Sequence, residues 1–98
     1  MSLQAKQSEF IKALGYLILY AYSIGYELTG GDLWATRGHS ENSYHYRRLA
    51  IDLNLFYESE YLTDTEAHRP LGEYWKQLGG TWGGDFSSPD GNHYSWGE

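Results

Sequence analysis

The octapeptide LAIDLNLF (residues 49–56) alternates side chains with a period of two. Leu49, Ile51, Leu53 and Leu55 share one face, and Ala50, Asp52 and Asn54 share the other. The pattern predicts a strand with its aliphatic stripe in the core and Asp52 turned away from it. A carboxylate in so apolar a strand is costly unless it is paired or metal-bound. A metal, or a partner such as Arg37 or His45, would account for Asp52.

Working outward, residues 57–62 can turn back on this strand as a hairpin. Thr63-Asp64-Thr65-Glu66 has the form of a helix start, with a cap and early acidic residues. Pro70 suits a first turn. Leu71, Tyr74, Trp75 and Leu78 then recur at helical spacing until Gly79-Gly80 stops them. Residues 81–98 are dense in glycine, aromatics and polar groups, and predict two short strands around the loop at residues 87–91. Upstream, Phe10, Leu14, Leu17 or Ile18, and Ala21 mark an amphipathic helix, with Ser8 as its expected cap and Gly25 as its end. Tyr26-Glu27-Leu28-Thr29 reads as extended, Gly30-Gly31-Asp32 as a turn and residues 33–43 as a surface loop. The order implies an α+β fold, a small antiparallel sheet with flanking helices. The expectation is a single domain over residues 1–98.

Composition narrows the chemistry. At 98 residues with 17% aromatics and 41% hydrophobic residues, the chain is globular but has a limited core. It has no cysteine, which removes disulfides, thiolate metal sites and a cysteine nucleophile. Any metal site must use His, Asp and Glu. Thirteen acidic residues against seven basic ones give a net charge of −6, which argues against a nucleic-acid partner. The uncharged run ALGYLILYAY (residues 13–22) is too short to span a bilayer. Glu9 precedes it and no small-x-small site follows at Ser23-Ile24-Gly25-Tyr26, so no signal peptide is expected.

Of the four histidines, His39 and His68 sit in polar surroundings and read as exposed or capping residues. His45 lies seven residues before Asp52, and His93 ends Asp90-Gly91-Asn92-His93. Two imidazoles and a carboxylate suffice for a zinc site with a fourth position open to water. A further carboxylate could move the proton, and Asp90 is placed for that. Pro89-Asp90-Gly91 is equally a common turn, and such residue sets recur by chance.

Two segments sharpen this reading. SYHYRRLAIDLNLF (residues 43–56) resembles the Ser-x-His-x6-Asp signature of the M15 metallopeptidases, the D-Ala-D-Ala carboxypeptidase and phage L-alanyl-D-glutamate endopeptidase group, within the wider hedgehog/D-Ala-D-Ala-peptidase fold. GGTWGGDFSSPDGNHYSW (residues 79–96) resembles that family's second motif, and YLTDTEAHRPLGEYWKQLGG (residues 61–80) is similar to small phage-encoded members. The resemblance implies His45, Asp52 and His93 as zinc ligands and Asp90 as catalytic base. Arg37 is the best match for the family's substrate arginine. Ser43 matches the motif serine as a hydrogen-bonding residue beside the metal ligands, and Asp85 is either a loop anchor or a substrate contact. The implied function is zinc-dependent hydrolysis of a peptide bond in peptidoglycan stem peptides, by an endolysin-like endopeptidase or carboxypeptidase of phage or prophage. Such an enzyme is expected to be a monomer held in the host cytoplasm until lysis. The alternative is a non-catalytic zinc-binding domain of the same fold that binds wall fragments or a protein partner. A phage structural component is a third reading.

Overall fold

A computed structural model of the chain describes residues 2–31 and 48–97. The expected loop at 33–43, with Arg37, His39 and Ser43, lies outside the described residues, as does His45. The described elements run α1 (Leu3–Ser23), β1 (Glu27–Gly30), β2 (Ala50–Tyr57), β3 (Glu60–Leu62), a 3-10 turn (Thr65–His68), α2 (Arg69–Leu78), β4 (Thr81–Trp82), a second 3-10 turn (Gly83–Asp85) and β5 (His93–Ser95). This is the α+β arrangement that the residue pattern predicts.

β2 is the centre of the sheet. The strand order is β1-β2-β5-β4, with β3 also paired to β2, and the ladders are antiparallel. β1 takes one edge of β2. The other edge is shared: β5 pairs with residues 50–52 and β3 with residues 55–57. The β2–β3 hairpin closes through Glu58 and Ser59, both at positive φ (49° and 68°). A two-residue turn of that handedness matches the twist of its flanking strands.

The alternation read from residues 49–56 is realised. Leu49, Ile51, Leu53 and Leu55 are buried, whereas Asp52 and Asn54 are half-buried on the opposite face. Both helices cover the aliphatic face. α1 contributes Phe10, Ala13, Leu14, Leu17 and Ala21, and α2 contributes Leu71 and Trp75. Phe10 meets Trp75 edge-on at 6.0 Å, and the Trp75 indole N–H donates to the Ser95 carbonyl at 2.9 Å. That bond satisfies the one polar atom of a fully buried indole.

Two helix starts differ from expectation. α1 begins at Leu3, and its cap is Ser2, whose Oγ accepts the Ala5 N–H at 3.1 Å. Residues 3–7 are good helix formers, so nothing halts the helix before Ser2. Ser8 lies inside the helix and accepts from the Gln4 side chain at 2.8 Å. The segment after Asp64 forms a 3-10 turn without a side-chain cap, and α2 starts only at Arg69, next to Pro70.

Gly72 sits where α2 crosses Trp82. A Cβ at this position would lie inside the indole. Gly72→Ala should therefore cost about 1–3 kcal/mol through forced repacking. Denaturant unfolding would read the loss, and an unchanged midpoint would show that Trp82 has room to move.

Candidate metal centre

β5 brings the second sequence motif against the first. In the β2–β5 ladder, Asp52 is directly opposite His93. Tyr94, next along the strand, points into the core, so His93 points to the Asp52 face. His93 Nδ1 stands 3.7 Å from Asp52 Oδ1. Both side chains are largely shielded, with 12% and 20% exposure.

Asp90 joins them through a tight turn. The His93 N–H donates to the Asp90 carbonyl at 3.1 Å, and the Asp90 N–H donates to the Gly83 carbonyl at 2.9 Å. The Leu53 N–H donates to the Asn92 carbonyl at 2.9 Å, which fastens the turn to β2. The Trp82 indole donates to the Gly91 carbonyl at 2.8 Å. Gly83 lets these strands approach closely, since a Cβ there would run into the Asp90 carbonyl and crowd the His93 Cβ.

The result is a cluster of one imidazole and two carboxylates. One ligand atom each from Asp52, Asp90 and His93 all lie within 4.8 Å of one another. Carboxylate oxygens and an imidazole nitrogen are the donors that divalent zinc accepts, and three of them converge on one point. The donor set therefore fits a metal ion. Of the residues read from the sequence as site residues, the structure joins Asp52, Asp90 and His93. Arg37, Ser43 and His45 lie outside the described residues.

Asp85 is held away from that cluster by α2. Its carboxylate lies 2.8 Å from Lys76 Nζ, and Lys76 also pairs with Glu73 at 2.8 Å. These partners, Asp85 first, raise the Lys76 pKa above its ordinary value. Arg69 and Lys76 both lie over the Trp82 ring, at 5.1 and 5.8 Å. The charges on α2 thus fix Trp82, and Trp82 holds Gly91 beside Asp90.

His68 departs from its reading as an exposed or capping residue. It is 2% exposed, gives α2 no side-chain cap, and its Nδ1 is 2.9 Å from the Tyr94 hydroxyl. Its position continues the buried stripe of Leu71 and Trp75 backward by three residues, a periodicity legible in the sequence. Burial pulls its pKa from 6.5 down to about 4, outweighing the opposite pull of Asp64. His68 also lines a polar cleft of about 180 Å³ that has Asp90 among its walls. The cleft opens at Leu53 and Asn54, where the shared edge of β2 passes from β5 to β3.

The family model described as D-alanyl-D-alanine carboxypeptidase, of the M15 peptidases, matches residues 36–96. That span contains all seven residues singled out above as candidate site residues. A search of the curated proteins finds no match to the chain.

Two outcomes are expected from this geometry. Gly83→Ala should push Asp90 and His93 apart and lower the affinity of the cluster for an added divalent cation about 10–100-fold, the usual size of such an effect when a residue supporting a metal cluster is changed. Calorimetric titration would read it, and unaltered affinity would show that the turn tolerates the methyl. For His68, the unfolded chain takes up a proton near pH 6.5 that the folded chain resists until about pH 4. Its contribution to stability is thus complete above pH 6.5 and is lost as pH falls toward 4. Unfolding free energies across that window should slope less in His68→Gln than in the parent chain. Identical slopes would assign the pH dependence to other groups.

Proposed function

Because this chain belongs to the M15 peptidase family, we propose that it is a zinc-dependent peptidase that hydrolyses a peptide bond in the stem peptides of bacterial peptidoglycan. The observation that carries this reading is the convergence of Asp52, Asp90 and His93 within 4.8 Å. In the proposed assignment His45, Asp52 and His93 hold the metal. Bound zinc would polarise the scissile carbonyl and lower the pKa of a water toward neutrality.

The remaining work falls to side chains. Asp90 takes the proton of the attacking water and returns it to the leaving amine nitrogen. A carboxylate suits this task because its two oxygens can accept on one side and donate on the other once protonated. The Gly83 and Gly91 contacts hold Asp90 on its turn with little freedom, so it is positioned before substrate arrives. Arg37 would hold the substrate carbonyl or its developing negative charge. Ser43 would orient the loop that carries His45. Asp85, tied to Lys76, braces the loop of the second motif rather than reaching substrate. An endolysin-like role follows: the enzyme would wait in the host cytoplasm and reach the wall at lysis.

The presence of a base-like carboxylate beside the ligands favours catalysis over purely structural metal binding, which needs no proton acceptor. Asp90→Asn should leave the fold and zinc binding in place and reduce cleavage of purified peptidoglycan about 10²–10⁴-fold. Mass spectrometry of the digest identifies the new termini and hence the bond. Parent-level cleavage by the variant would remove Asp90 as the base, and absence of new termini with the parent chain would overturn the peptidase reading.

A further inference from the structure

The cleft beside Asp90 contains a histidine that the reaction above does not use. Its walls are overwhelmingly polar and include Asn54, Thr63, Thr65 and Asn92. It has room for a group the size of an amino-acid side chain, at about 180 Å³. His68 is the buried base of this cleft, 2% exposed.

The hydrogen bond between His68 and Tyr94 settles which ring nitrogen carries the proton. Tyr94 is fully buried, and a phenol keeps its proton near pH 7. Among the described residues the acceptor within reach of that O–H is His68 Nδ1, at 2.9 Å. The imidazole is itself neutral near pH 7 because burial lowers its pKa to about 4. A neutral imidazole that accepts at Nδ1 carries its proton on Nε2. With Nδ1 taken, Nε2–H is the polar atom that His68 has left for the cleft. That N–H is not among the fully buried side-chain atoms without a partner, so it can exchange water for an acceptor on substrate.

We propose that His68 is a substrate-binding residue: fixed through Nδ1 by Tyr94, its Nε2–H donates to an acceptor oxygen of the peptide residue that lodges beside Asp90. The proposal rests on the peptidase reading for the identity of its ligand, a peptide. Tyr94 is the positioning residue, since it acts on substrate only through His68. His68 and Asp90 line the same cleft, so a peptide residue lodged there meets both. Substrate residues offering an oxygen at that point, from a carbonyl, carboxylate or hydroxyl, are selected over purely aliphatic ones.

The test combines two readouts. In long-range ¹H–¹⁵N spectra of the parent chain, His68 should be the Nε2–H tautomer. Adding a synthetic peptidoglycan stem tetrapeptide to Asp90→Asn should shift the His68 Nε2 resonance. An Nδ1–H tautomer, or peptide binding elsewhere on the chain with His68 unmoved, overturns the proposal. Kinetically, His68→Asn keeps a partner for Tyr94 but withdraws the donor from the cleft, and should raise KM about three- to tenfold with kcat little changed. His68→Gln restores an N–H near the Nε2 position and should recover most of that loss. Both variants at parental KM overturn the proposal. If His68→Asn does not fold, the resonance shift in Asp90→Asn decides alone. A tetrapeptide that shifts His68 while the parent chain cleaves nothing would sink the peptidase reading and keep the subsite.

Discussion

The antiparallel pairing of β2 with β5, in the register that sets Asp52 opposite His93, is the contact from which the rest of the site follows. Side chains directly opposite in such a ladder project from the same face within a few ångströms. A slip of one residue would send His93 into the core and bring Tyr94 out to Asp52. The register is held by the other side of the same strands. Tyr94 is buried against Trp75, Ile51 is buried beneath the helices, and Trp75 donates to Ser95. Apolar burial on one face of the sheet thus fixes the spacing of Asp52 and His93 on the other.

The same division explains why so small a chain commits its aromatic residues as it does. Trp75, Trp82 and Tyr94 are all fully buried, and each uses its single polar atom. Trp75 ties α2 to β5, Trp82 ties the second motif to the Asp90 turn, and Tyr94 ties β5 to His68. These bonds link core to site directly. Glycines at positions 72 and 83 provide the space that the indole and the turn require. The packing that stabilises the fold and the packing that orients Asp90 are therefore largely the same contacts.

Much of this was legible in the residue pattern. The period-two alternation of residues 49–56 identified β2, its buried face and the anomalous Asp52. The spacing of Leu71, Trp75 and Leu78 identified α2, and the paired motifs around Asp52 and His93 pointed to a common centre. Local cues were less reliable at the helix starts. Ser8 had the right chemistry for a cap, but Ser2 could cap a longer helix because the intervening residues favour that state. The turn after Asp64 became 3-10 because Pro70, and the burial of Leu71, set where α2 begins.

By itself the sequence determined the strand that organises the sheet, the α+β class and the absence of thiol chemistry, because each depends on composition or short-range periodicity. Membership of the peptidase family also rests on motifs within the sequence. Only the tertiary structure decided that His68 bonds to Tyr94, that Asp85 is bound to Lys76, and that a polar cleft lies where β5 gives way to β3. Those facts come from which surfaces face one another after folding. His68 and Tyr94 lie 26 residues apart, and no local pattern records a bond between them.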